Sequence, residues 1–350
     1  MAKKKLYNTI DSRELKKRID QSEEARMTLS FYKYFNIDAP ADYRDGLYAE
    51  WNEVGVLGRT YVATEGVNAQ ISIPKDKEQV FAGSLTKFGL EGIRLNYAIE
   101  DDGKSFYKLV IKVRPKIVAD GLDDREINFE KRGTHLNAAE FNQLTDKDET
   151  IVVDMRNHYE SEVGHFEGAI LPDVETFRDS LPIVADMLSD HKKQPIVMYC
   201  TGGIRCEKAS AYMRQQGFEN VFQLDGGIIE YRRQVDNQGL DNKFHGKNFV
   251  FDERLGERIS DEVIARCHQC GKSADAHTNC ANDACHLLFI QCESCAEKYK
   301  QCCSTKCAEF NQLPDEEQRE LRKTLEFNGT RFSKGRYKAF HRSEQGLELK

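Results

Sequence analysis

The stretch Pro195-Ile-Val-Met-Tyr-Cys-Thr-Gly-Gly-Ile-Arg-Cys206 reads as a short buried strand that stops at a cysteine, then a tight glycine loop, then the start of a helix. Ile196, Val197, Met198 and Tyr199 form an apolar run suited to a central parallel strand. The segment from Lys208 to Gln216 is helix-prone and is closed by Gly217. Cys200 is therefore expected at the carboxyl end of a strand, where open α/β sheets place their sites. Gly202 and Gly203 allow successive backbone N–H groups to turn toward the sulfur, and the helix N-terminus and Arg205 add positive potential. Such surroundings lower a thiol pKa from about 8.5 toward neutrality, which predicts a reachable, ionised nucleophile at Cys200 within a loop completed by Thr201 and Ile204. A buried structural cysteine is the competing reading, but it needs neither the two glycines nor the arginine. Arg205 follows Cys200 by five positions and Cys206 by six. Tyrosine-phosphatase loops carry their phosphate-gripping arginine at the sixth position, so this smaller loop favours a sulfur-sized or oxygen-sized adduct.

Flanking segments extend the pattern. Ile151-Val-Val-Asp-Met-Arg156, Tyr159-Glu160, Gly164-His165-Phe-Glu-Gly-Ala169 and Val221-Phe-Gln-Leu-Asp-Gly-Gly227 resemble the signatures of rhodanese domains, over about 134 to 240. Parallel strands near 151, 169, 196 and 221, separated by helices, predict a doubly wound sheet. The resemblance implies that Asp154 and Arg156 form a structural ion pair close to the catalytic loop, with a plain surface pair as the alternative.

Upstream, behind an extension over 1–27, residues 28–118 alternate strand and helix. Strands are expected at 28–35, 58–63, 67–73 and 106–113, with helices at 43–54 and 77–88. That β-α-β-β-α-β order predicts a ferredoxin-like plait, similar to the acylphosphatase-like domain found ahead of some rhodanese domains. The Gly-rich phosphate loop and arginine that an acylphosphatase needs after its first strand are missing, so binding is expected of this domain rather than catalysis. A charged segment, 120–132, joins the two.

A chain of 350 residues implies two or three domains. Neither a membrane-spanning apolar segment nor a signal peptide is evident, and eleven cysteines without an export signal point to thiols and metal in a cytoplasmic protein rather than to disulfides. The net charge of −7 argues against a uniformly basic nucleic-acid binder but permits a local patch. Nine of the cysteines lie within 267–307, in a module expected over 241–312. Two Cys-x2-Cys knuckles, Cys267/Cys270 and Cys292/Cys295, would close one tetrahedral structural zinc site, and Cys280, Cys285, Cys302 and Cys307 are candidates for a second. Cys303 lies among them. His268, His277 and His286 are alternate ligands, and reduced or disulfide-paired cysteines packed as small hydrophobes are the alternative to metal. Gly246 to Arg254 reads as a joining strand. The tail, 313–350, carries Arg331, Lys334, Arg336, Lys338 and Arg342 among Phe332, Tyr337 and Phe340. That composition suits either an RNA contact or a disordered solubilising segment.

The full order of plait, Cys-Thr-Gly-Gly-Ile-Arg-Cys loop, Gly-Lys-Asn-Phe-Val-Phe-Asp-Glu-Arg and a cysteine-rich module beginning Cys-His-Gln-Cys closely resembles the bacterial oxygen-dependent tRNA uridine hydroxylases. The resemblance implies hydroxylation at carbon 5 of the wobble uridine, position 34, giving 5-hydroxyuridine. It also implies molecular oxygen as co-substrate, no flavin or nicotinamide, and the tRNA anticodon loop as partner. Within that chemistry the Cys200 thiolate adds to carbon 6 of the base, or is itself oxidised first. Cys206 either resolves an oxidised Cys200 or simply packs at the helix start. The loop equally permits a persulfide-carrying sulfurtransferase, because sulfur and oxygen chemistry both need a low-pKa thiolate in an anion-binding cradle. A non-catalytic, zinc-stabilised RNA-binding or redox-sensing protein is a third reading, although the intact nucleophile stands against it.

Overall fold

The structure is a computed structural model that describes residues 6–122, 128–327 and 337. Helix α1, Ser12–Asp20, precedes the first domain, whose elements are β1 (Arg26–Tyr34), α2 (Pro40–Val54), β2 (Leu57–Ala63), β3 (Gly66–Pro74), α3 (Glu78–Lys87), β4 (Asn96–Tyr97) and β5 (Leu109–Val113). The sheet runs β4-β1-β3-β2-β5. Alternation on β1 and β3 decides what each face does. Leu29, Phe31, Ala69 and Ile71 pack toward α2 and α3, with Trp51 and Phe81 at the centre of the core. Ser30, Tyr32, Asn68 and Gln70 line a cavity shared with the second domain.

The plait is present, but its fourth strand is not the expected one. Beside β1 lies the two-residue β4, antiparallel, with Leu29 opposite Tyr97 and Ser30 opposite Asn96. The apolar run ending at Val113 forms β5 at the other edge, parallel to β2. Apolar alternation identifies a strand, because Leu109 and Ile111 need burial, but both sheet edges offer it; the neighbour is chosen by where the chain can reach.

The second domain comprises β6 (Thr134–Leu136), α4 (Ala138–Thr145), β7 (Ile151–Asp154), α5 (His158–Ser161), β8 (Gly164–Phe166), α6 (Phe177–Met187), β9 (Pro195–Tyr199), α7 (Ile204–Gln215), β10 (Asn220–Leu224) and α8 (Gly227–Gln238). Four of its strands form a parallel sheet in the order β6-β10-β9-β7. Its two faces carry separate cores: Ile196 and Met198 of β9 pack with Leu181, Val184 and Ala209 on one side, and Val197 and Tyr199 pack with Phe141, Ile228 and Tyr231 on the other. Helices on both faces explain why β9 is apolar throughout rather than alternating. The strand expected near 169 is reduced to a single bridge between Val153 and Ile170.

After α8 come β11 (Phe244–Asn248), β12 (Glu257–Arg258), β13 (His277–Asn279), β14 (Leu288–Ile290), α9 (Glu293–Lys298), α10 (Thr305–Phe310) and α11 (Asp315–Leu321). The strand read over 246–254 stops at Asn248. Beyond it the Asp252 carboxylate turns back to accept from the Arg254 N–H at 3.0 Å, which fixes a turn instead of extended backbone. Among the described residues no helix is long and apolar enough to cross a membrane. Of the basic and aromatic residues singled out in the tail only Tyr337 is described, with its ring 5.9 Å from that of Phe289; Arg331, Phe332, Lys334, Arg336, Lys338, Phe340 and Arg342 lie outside the described residues.

Candidate active site

The chain leaves β9 at Tyr199 and enters α7 through Gly203, whose φ of +97° is open to glycine at little cost. This turn directs the Gly203 N–H onto Cys200 Sγ at 3.2 Å. Burial alone would push the Cys200 thiol up. The Cys206 S–H, the Arg205 charge and the backbone N–H groups of Cys206 and Arg205 together outweigh burial, and the pKa falls to about 6. Cys206 moves the other way, raised by burial and by the neighbouring sulfur, so the shared proton stays on Cys206.

A second turn holds the loop from behind. Gly227, the last residue of the Asp-Gly-Gly turn, has φ +67°, and a Cβ there would press on the carbonyl oxygens of Cys200 and Thr201, 2.6 Å from the latter. The first N–H groups of α8 occupy that space: Ile228 donates to the Cys200 carbonyl at 3.1 Å and Ile229 to that of Thr201 at 3.3 Å. Anchoring these carbonyls on α8 leaves the opposite side of the loop, with its N–H groups, to the sulfur.

Arg205 is buried and forks onto Glu160, Nη1 to Oε1 at 2.7 Å and Nη2 to Oε2 at 2.8 Å. Burial pushes the Glu160 carboxyl up, and the Arg205 guanidinium more than offsets it, so Glu160 stays ionised. Arg205 thus acts on Cys200 as a fixed positive charge. The Asp154 and Arg156 pair is buried as well, not superficial. The Arg156 Nη2 donates to Asp154 Oδ2 and to the Gly164 carbonyl, both at 2.6 Å, while the Met155 N–H donates to the Tyr199 carbonyl at 2.9 Å. That network ties β7 and β8 to the end of β9, immediately before Cys200.

Cys200, Thr201, Gly202, Ile204 and Arg205 border a cavity of about 780 Å³. Its far wall is the open face of the plait sheet, including Tyr32, Asn96 and Gln70, and residues after β11 such as Phe251 close it further. The expected reachable sulfur is corrected here: Cys200 is 0% exposed, whereas Thr201, Gly202 and Ile204 keep part of their surface open. Cys200 thus borders the cavity while its own surface is covered from bulk solvent. Tyr32 of β1 donates to Glu207 of α7 at 3.0 Å, and Lys208 of α7 is buried between Glu65 and Asp120. The plait is therefore part of the site, a contribution sequence reasoning missed because no local motif marks it.

In the cysteine-rich module, the Sγ atoms of Cys267, Cys270, Cys292 and Cys295 come together, as do those of Cys280, Cys285, Cys303 and Cys307, each set within 4.8 Å. The second set corrects the sequence expectation, which took Cys302 where the fold uses Cys303. Cys303 lies just before the Ser304 N-cap of α10 and Cys307 in its first turn, with their sulfurs 3.7 Å apart. The contacts Cys270 to Cys292 at 3.5 Å and Cys285 to Cys303 at 3.7 Å approach the edge of a tetrahedron with arms of about 2.3 Å, about 3.8 Å. They are far longer than the ~2.05 Å of a disulfide bond. His268, His277 and His286 belong to neither set; His268 faces Glu162 at 2.7 Å.

A cysteine loop at the end of a central parallel strand, with helices on both faces and a plait ahead of it, defines a rhodanese-domain protein with an acylphosphatase-like partner domain. Three sequence profiles agree: the UPF0176 acylphosphatase like domain over residues 26–117, the rhodanese-like domain over 137–234 and the rhodanase C-terminal region over 245–308. The tRNA uridine(34) hydroxylase of Photorhabdus laumondii is 54% identical over 344 residues, 98% of this chain and 97% of that one. The protein of the same name from Pectobacterium carotovorum is 56% identical over 95% of this chain and 94% of its own. That of Yersinia pseudotuberculosis is 56% identical over 91% and 90%. The chain belongs to the tRNA uridine(34) hydroxylase family.

Proposed function

We propose that this protein hydroxylates carbon 5 of the uridine at tRNA position 34, with Cys200 as nucleophile and molecular oxygen as co-substrate. The observation that carries the reading is the Cys200 thiolate, held near pKa 6 by the loop and bordering a cavity large enough for a nucleobase. Addition of the thiolate to carbon 6 makes carbon 5 nucleophilic toward oxygen, and expulsion of the thiolate restores the ring. One oxygen atom enters the base and the other leaves as water, which takes two electrons and two protons. Closure of the Cys200 thiolate with Cys206 to a disulfide supplies the two electrons and the Cys206 thiol one proton, solvent supplies the other proton, and cellular thiols reset the pair. An anticodon loop suits the cavity because its bases splay out without melting a duplex. Arg59, Arg114 and Arg178 border the same cavity and, among the described residues, form no ion pair, so they offer positive charge to the RNA backbone in a cytoplasmic protein of net negative charge. The two four-cysteine clusters fit zinc by donor type, count and spacing, and would supply folding free energy to a module with little apolar core.

The test is mass spectrometry of nucleosides from tRNA incubated with the protein and oxygen, without a sulfur donor. A gain of one oxygen at uridine 34 with wild type and none with Cys200→Ala is expected. Incorporation of sulfur in place of oxygen would refute the reading in favour of persulfide transfer.

A further inference from the structure

Asn96 sits in the two-residue strand β4, opposite Ser30, and is 3% exposed. Its carboxamide lies on the wall of the Cys200 cavity and against the catalytic loop: Nδ2 is 3.5 Å from the point where a side chain on Gly202 would begin. Its Oδ1 is buried without a hydrogen-bond partner. A buried acceptor left unpaired is costly, and such groups in native structures have a reason for persisting. This one belongs to the plait, on a side chain whose amide nitrogen lies against the Cys200 loop of the other domain. No helix cap, turn or strand ladder uses it.

We propose that Asn96 is the base-reading residue of this site. Its Oδ1 accepts the N3–H of the flipped-out uracil, and its Nδ2 donates to an adjoining ring carbonyl. The two groups of a carboxamide match the neighbouring donor and acceptor of the uracil edge. N3 lies across the ring from carbon 6, so a base held by its N3 edge on Asn96 turns carbon 6 toward the rest of the loop. Asn96 Nδ2 and the Cβ position of Gly202 are at van der Waals separation, so the carboxamide lies directly against the loop. This inference rests on the uridine-hydroxylating reading of the cavity and assigns the residue that selects the base within it.

The experiment pairs a change in the protein with a change in the base. Full-length wild type and Asn96→Ala are assayed on tRNA carrying either uridine or 3-deazauridine at position 34, the latter lacking the N3–H donor. Wild type is expected to lose about 10- to 100-fold in kcat/KM on 3-deazauridine. Asn96→Ala is expected to lose a similar factor on uridine and to distinguish the two substrates by less than about 2-fold, because the interaction is already gone. Asn96→Asp, nearly isosteric but without the donor, is expected to lose activity while keeping the wild-type melting temperature and the wild-type alkylation profile of Cys200. Equal discrimination by Asn96→Ala and wild type, or full activity of Asn96→Asp on uridine, would overturn the assignment while leaving the hydroxylase reading intact. Absence of any oxygen gain by wild type on uridine-34 tRNA would remove both.

Discussion

Replacing Cys206 by alanine isolates the origin of the Cys200 thiolate. The Cys206 side chain donates its S–H to the sulfur, while its backbone N–H and the Arg205 charge make separate contributions that the substitution leaves in place. A hydrogen bond to a charged group is worth about 1.5–3 kcal/mol, or about one to two pKa units at 1.36 kcal/mol per unit. Because the bond favours the ionised form, its loss raises the Cys200 pKa from about 6 to between about 7 and about 8. At pH 7 the ionised fraction then drops from about nine-tenths to between about a half and a tenth. The assay is the rate of iodoacetamide labelling at Cys200 as a function of pH, read by peptide mass spectrometry. The plateau rate should be low in both proteins, since the sulfur is buried, and only the inflection should move. Cys206→Ser keeps a donor and should hold the inflection near that of wild type. An unchanged inflection in Cys206→Ala, or identical shifts in the alanine and serine variants, would refute the account.

Gly227→Ala places a methyl group against the Cys200 and Thr201 carbonyls at a positive φ, so it should displace the catalytic loop and cut hydroxylation about 100-fold, measured as turnover on tRNA beside an unfolding curve. Metal analysis should find about two zinc ions per chain, about one in Cys303→Ser and still two in Cys302→Ser, a contrast that follows from which of the adjacent cysteines joins the cluster. Glu160→Ala leaves Arg205 buried without its counter-charge and should cost about 3–5 kcal/mol in denaturant unfolding. Since Glu160 has a depressed folded pKa, its stabilisation is complete above the ordinary value of 4.5 and is lost as pH falls through the lower folded value. The gap between wild type and Glu160→Ala should therefore narrow only in acid.

Most of the Cys200 loop was legible in the chain because its determinants are local. An apolar run suited to a doubly covered strand, a cysteine, two glycines and a helix start lie within twelve consecutive residues, and each constrains the next through backbone geometry. The four thiols of the first cysteine cluster were legible for the same reason, since Cys-x2-Cys spacing is itself a geometric statement. The choice between Cys302 and Cys303 was not, because neighbouring residues project differently and only the folded path of the chain brings Cys303 to the other three sulfurs.

Sequence by itself determined the central strand β9, the position of Cys200 at its end and the turn that follows it, all consequences of contacts between residues close along the chain. Tertiary structure alone decided the edge that β5 joins, the burial of Cys200, the capture of Arg205 by Glu160 and the arrival of Tyr32 and Asn96 opposite the loop. These are meetings between residues 45 to more than 100 positions apart. No local spacing records them, because they depend on how two separately folded sheets present their faces to each other.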